Sequence, residues 1–189
     1  MKQRKTLRRL CLYALFAAIL CVLSPIAIPI GPVPVSFSVM GILLCCAVLG
    51  ARAVIPVSVY LAVGALGLPV FAGGMGGLGV LVGPTGGFLW SYLLLAALTG
   101  LFYRSAFRDP KPRRMRFFHT FLLALPGMGL CYLCGTLQYM LVASTTLMQA
   151  IWICVLPFLL FDFAKIFLIG LLADRLLAIP SVRATVTAL

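Results

Sequence analysis

Asp162 and Lys165 are the residues of this chain most able to do chemistry, because they stand three positions apart well inside the apolar run 158–177. On a helix that spacing places both side chains on one face, close enough to influence one another. Holding an ionised group in hydrocarbon costs about 3 kcal/mol on insertion scales, so such groups usually face a cavity and serve a function. As acid and base the two residues would suit proton transfer, and as acceptor and donor they would suit a polar ligand. A self-satisfied ion pair that keeps helices in register is a third possibility, although a buried pair often adds little net stability. No nucleophile with a neighbouring base stands elsewhere in the sequence. A membrane-embedded enzyme built on Asp162 and Lys165 would therefore lack a second catalytic constellation, whereas a binding site needs none.

Neutral polar and aromatic residues are expected near the same end of the helices: Phe71, Thr85, Trp90, Ser91, Tyr92, Gln138, Tyr139 and Trp152. Each is also the kind of residue found at a membrane interface or in helix packing. Together they predict a partly apolar pocket with a few directed hydrogen-bonding groups, the usual makeup of a small-molecule site. Beside them runs Gly73-Gly74-Met75-Gly76-Gly77-Leu78-Gly79, in which Gly74, Gly76 and Gly79 match G-x-G-x-x-G. The match lacks a preceding strand and a following helix, so a dinucleotide site is a poor reading. There is no G-x-x-x-x-G-K-[ST] and hence no phosphate cradle for ATP. A lid over the pocket is the better reading of Gly73, Gly74, Gly76 and Gly77, with a plain mobile connector as the alternative.

The seven cysteines include Cys131-x-x-Cys134, a spacing seen in metal and redox sites. Gly127, Cys131 and Gly135 recur every four residues, however, which makes a stripe of small side chains where another helix can approach closely. No metal site and no cofactor is expected. The single histidine, His119, falls at the start of an apolar run, where an interfacial role suits it better than catalysis.

The elements that must position these residues follow from composition. The 189 residues are 63% hydrophobic and 10% charged, against roughly 45–50% and 25% in soluble domains. An all-α integral membrane protein forming a single domain over 1–189 is expected, with spans near 7–30, 36–49, 53–71, 85–102, 117–142 and 158–177. Six spans with a cytoplasmic N-terminus put Lys2, Arg4, Lys5, Arg8 and Arg9 inside. They also put Arg52 inside, then Arg104, Arg108, Lys111, Arg113, Arg114 and Arg116, and finally Arg175 and Arg183. That gathers fourteen of the fifteen basic residues on one side, with Lys165 the exception. Cytoplasmic loops collect Lys and Arg, so the count of spans and the orientation support each other, with both termini cytoplasmic. The net charge of +12 is thereby an orientation signal and not a nucleic-acid footprint.

The chain resembles the BioY proteins, the biotin-binding S-components of energy-coupling factor (ECF) vitamin transporters. The resemblance rests on Tyr60-Leu61-Ala62-Val63-Gly64-Ala65-Leu66-Gly67-Leu68-Pro69-Val70-Phe71-Ala72-Gly73-Gly74, on Gly83-Pro84-Thr85-Gly86-Gly87, on the Asp162-x-x-Lys165 pair and on Gly31-Pro32-Val33-Pro34. Ser36-Phe37-Ser38 stands where the family often has a threonine-and-glutamine-containing run, and Leu160-Phe161 where it often has Pro-Gly. The resemblance implies a six-helix S-component fold in a bacterial cytoplasmic membrane and capture of biotin from outside. It also implies partners: a transmembrane coupling protein and two ATPase subunits that drive release inward. The expected ligand-binding set is Asp162, Lys165, Tyr92, Thr85, Phe71, Gly79, Trp90 and Gln138. Ala14 and Ala18 match the A-x-x-x-A stripe that S-components turn toward their coupling partner. An S-component for another vitamin would differ only in pocket shape.

Overall fold

A computed structural model describes residues 2–108 and 113–178. Lys111 and Arg183 lie outside these residues, and the side chains of His119 and of the other basic residues from Arg104 to Arg116 also lie outside the description. Helix α1 spans Lys2–Leu23 and ends there because Pro25 and Pro29 cannot continue a helical ladder. The first span therefore stops seven residues short of its expected end. The chain instead forms a two-stranded antiparallel ribbon, β1 (Ala27–Ile28) with β2 (Val35–Ser36), in register Ala27 to Ser36 and Ile28 to Val35.

Helix α2 (Ser38–Leu49), a 3-10 turn (Gly50–Ala53) and helix α3 (Val54–Ala65) form one continuous apolar stretch of 28 residues. Hydrogen bonds show that it is folded back on itself. Ser38 at the start of α2 and Tyr60 in α3 both bond the hydroxyl of Ser24. A straight helix would hold residues 38 and 60 about 33 Å apart. Reversal occurs at Gly50, whose φ of 59° favours glycine, and Gly100 leaves room for the turn, since a Cβ there would strike the Gly50 carbonyl.

Helix α3 ends six residues before the expected limit of the third span. Gly67, with φ 103°, takes the left-handed role after the helix, and Pro69 blocks any continuation. Phe71 consequently lies on a loop and not in a helix. That loop contains a short 3-10 turn (Ala72–Gly74) and leads into helix α4 (Leu78–Val82), then α5 (Gly86–Arg108) and α6 (Arg113–Ala143). Helices α5 and α6 pack through their small residues: Gly87 lies on the Cys134 carbonyl, Gly127 on Thr99 and Leu95, and Gly135 on the Phe88 ring. The Gly127–Cys131–Gly135 stripe is thus a helix-packing surface.

Helix α7 (Leu147–Cys154) was not anticipated; it precedes α8 (Leu156–Ala178), which carries the Asp-Lys pair. Its signal was present as Thr146-x-x-Gln149, which forms a reciprocal capping box. Five helical segments among the described residues are long and apolar enough to cross a membrane. Large apolar side chains such as Leu66, Leu141 and Leu160 project outward, as they do where hydrocarbon and not water is the solvent. The chain is an all-α, multi-pass membrane protein.

Candidate ligand-binding site

Six parts of the chain converge on a cleft with an empty volume of about 620 Å³: β2 with the start of α2, the loop after α3, α4, α5, α6 and α8. Most of the wall is apolar, including Val33, Val39, Leu89, Met128 and the stacked rings of Phe88 and Phe158, whose centroids are 5.9 Å apart.

The polar part of the wall is a connected network. On α8, Lys165 Nζ donates to Asp162 Oδ1 at 2.9 Å and to the Ser36 carbonyl at 2.8 Å. From α6, the Tyr132 hydroxyl donates to Asp162 Oδ2 at 2.6 Å. Asp162 and Lys165 are only 3% and 7% exposed, so each charge depends on these partners in place of water. Three helical or strand segments are tied together as a result: α6 to α8 through Tyr132, and α8 to β2 through Lys165. Beside the pair, Ser36, Ser38 and Ser24 form a run of hydroxyl bonds at 2.6 Å each, and Tyr60 joins it at Ser24. The Tyr92 hydroxyl lies beside the same Ser36 and Ser38. Deeper between α5 and α6, Ser91 donates to Cys131 Sγ at 2.9 Å.

Of the expected ligand-binding residues, Asp162, Lys165, Tyr92, Thr85 and Phe71 are brought together on the cleft wall. Phe71 is fully buried; its ring sits over Gly64, where any Cβ would collide with it, and meets Tyr60 edge-on at 5.6 Å. Three others are not on the wall. Trp90 is half-exposed on the far side of α5 and donates through Nε1 to the Leu81 carbonyl at 3.2 Å. Gln138 donates through Nε2 to the carbonyls of Leu81 and Gly83, both at 2.9 Å. These two residues fasten the end of α4 and the approach to α5. Gly79 faces open space on α4. The difference has a simple cause: Trp90 and Tyr92 are two positions apart, which on a helix turns them about 200° from each other.

In the glycine segment, Gly73, Gly74 and Gly77 all take positive φ, and Ala72 and Met75 are the residues that reach the cleft. The segment is tied at both ends. Gly73 N–H bonds the Pro25 carbonyl and Gly77 N–H bonds the Gly64 carbonyl.

Sequence reasoning missed Tyr132 and the Ser36 carbonyl. Tyr132 had a usable signal, since a phenol in the middle of an apolar span needs a hydrogen-bond partner. That signal stands directly beside the small-residue stripe, one residue around the helix from Cys131.

A bundle of membrane helices enclosing a mostly apolar cleft, with one neutralised ion pair in its wall and a glycine-rich segment along one side, defines a small-molecule-binding membrane protein. Comparison with known proteins specifies which kind. The model of the BioY family matches residues 1–181, and the chain belongs to that family. It is 34% identical to the biotin transporter BioY of Thermotoga maritima, over 90% of this chain and 96% of that one. Against the biotin transporter BioY of Rhodobacter capsulatus it is 37% identical, over 88% of this chain and 91% of that one. The biotin transporter BioY2 of Lactococcus lactis subsp. cremoris is 48% identical over 97 residues, a stretch covering about half of each chain, 51% and 53%. A crystal structure of the S-component for biotin from an ECF-type ABC transporter superposes with a TM-score of 0.81 at 26% identity, covering 93% of this chain and 94% of that one. The family is one of transporters, not enzymes.

Proposed function

We propose that this chain is a biotin-binding S-component, which captures biotin from the outer side of a bacterial cytoplasmic membrane and delivers it inward when coupled to an ATPase module. The observation that carries the reading is the neutralised Asp162–Lys165 pair buried in an otherwise apolar cleft. Biotin has a planar ureido group with two N–H donors and one carbonyl acceptor, an apolar ring system and a carboxylate tail. A lone buried lysine would suit the carboxylate, but a lysine already paired with aspartate suits the uncharged ureido head. The head therefore meets Asp162 and Lys165, with Tyr92 and Thr85 completing the polar contacts. Phe71, Phe88 and Phe158 enclose the ring system, and the tail points toward the glycine segment.

Gly73, Gly74, Gly76 and Gly77 form a lid. Its α4 end is held by Gln138 and Trp90 through the Leu81 carbonyl. Six crossings with both termini cytoplasmic are supported by the segregation of basic residues and by the folded-back α2–α3 pair. Ala14 and Ala18 are exposed on α1, a surface of small side chains suited to close approach by a helix of the coupling protein. Two ATPase subunits complete the assembly and supply the energy, since this chain has no phosphate cradle of its own.

The reading is tested by titrating the detergent-purified chain with biotin, thiamine and riboflavin, followed by mass analysis of what is bound. One unaltered biotin per chain, without added ATP or metal, is the expected result. Preferred binding of another vitamin would refute the substrate, and conversion of bound biotin would refute a purely binding role.

A further inference from the structure

The cleft holds a polar residue that the Asp-Lys motif does not include. Tyr132 comes from α6, is half-buried, lines the cleft, and places its hydroxyl 2.6 Å from Asp162 Oδ2. A carboxylate has no proton to give, so the direction of this bond is fixed: the phenol donates and Asp162 accepts. The consequence is a fixed hydrogen-bonding polarity along the wall. Asp162 offers only its remaining lone pairs. Tyr132, with its one hydrogen committed, offers only oxygen lone pairs. Lys165 has three N–H groups, gives one to Asp162 and one to the Ser36 carbonyl, and keeps one for a ligand. Among these three side chains two acceptors and one donor are thus left, and a cyclic urea carries the complementary set of two donors and one acceptor.

We propose that Tyr132 is a specificity-determining residue that selects for a ureido N–H by presenting an oxygen whose own hydrogen is locked onto Asp162. The role rests on the biotin reading above and extends it to a residue on a different helix. A ligand that replaces one ureido N–H with a methyl or an acceptor meets a lone pair it cannot satisfy, and a site built to bond an N–H rejects such an analogue strongly.

The experiment measures affinities of the whole chain in detergent for biotin and for two analogues, each methylated on one ureido nitrogen, in wild type and Tyr132→Phe. Binding of biotin by wild type is established first; its failure overturns the functional reading, whereas every later outcome bears on Tyr132 alone. In Tyr132→Phe, biotin affinity should fall about tenfold. The affinity for one of the two analogues should change by no more than about twofold, so its discrimination from biotin collapses. Unchanged biotin affinity overturns the proposal, as does an equal loss for biotin and both analogues, which is what general loosening of the helices would give. Ligand-free thermal unfolding monitors folding, and Tyr132→Met serves as a second variant with the same expected pattern. If neither variant yields folded protein, Tyr132 is a structural residue and the proposal fails.

Discussion

Removing only one member of the Asp162–Lys165 pair should harm the protein more than removing both. In Lys165→Met, Asp162 keeps the Tyr132 bond but loses its counter-charge, and the Ser36 carbonyl loses its donor. A buried charge stripped of its partner typically costs about 3–5 kcal/mol. For a chain of this size each kcal/mol corresponds to about 2–4 °C, so the unfolding midpoint should fall by about 10 °C. In the double variant Asp162→Asn/Lys165→Met no net charge remains, and an asparagine carbonyl still accepts from Tyr132. Its loss should be confined to about 1–3 kcal/mol for the orphaned Ser36 carbonyl and imperfect packing. Ligand-free thermal unfolding in detergent measures both. Biotin titration of the same samples should give at least tenfold weaker binding in each, the equivalent of about 1.4 kcal/mol or more. A double variant as unstable as the single one would refute the reasoning, because the pair would then be a net source of stability. Wild-type biotin affinity in the double variant would reduce the pair to a structural role.

Two further outcomes follow from the geometry. Replacing Ala14 and Ala18 together with Trp should abolish co-purification with the coupling protein and biotin uptake while leaving binding by the isolated chain intact; loss of binding in that variant would assign the two alanines to internal packing. Gln138→Leu removes both side-chain donors that Gln138 gives to Leu81 and Gly83, so biotin should leave about tenfold faster with little change in association rate, as stopped-flow exchange with labelled biotin would record. An unchanged dissociation rate would show that α4 is not part of the closure.

The part of the fold legible in the sequence was the part governed by solvent. Long apolar runs and proline positions located the helices, and Asp162 and Lys165 announced the site because charge is costly in hydrocarbon. Boundaries failed where a run of apolar residues outlasted its helix. Ile26, Ile28 and Ile30 look like more of the first span, and only the ribbon pairing of residues 27–28 with 35–36 shows otherwise. Leu66, Leu68 and Val70 likewise extend the apolar run past α3, while Gly67 and Pro69 end the helix itself. Residue type pointed to Tyr92, Thr85 and Phe71, which lie on the cleft wall, and equally to Trp90 and Gln138, which lie off it with their polar atoms on backbone carbonyls. Sequence spacing assigns a residue to a face of its own helix; it does not say what another helix brings to that face. That Asp162 is the partner of Tyr132 is visible only when α6 and α8 are seen side by side.

The folded-back pair α2–α3 has a consequence for the membrane around it. Each helix has 12 residues, hence a length of about 18 Å, whereas the hydrocarbon layer is about 30 Å thick. Along α5, the level of the turn is marked by Gly100, fourteen residues from the helix start at Gly86 and so about 21 Å away. Helix α2 is buried within the bundle, but α3 turns Ile55 and Val59 outward and is shorter than a hydrocarbon layer, with Arg52 in the turn before it. Such hydrophobic mismatch is relieved when lipids thin locally and headgroups reach toward the charge. Where α3 meets lipid, the length of the surrounding acyl chains is therefore a physical variable distinct from ligand and partner.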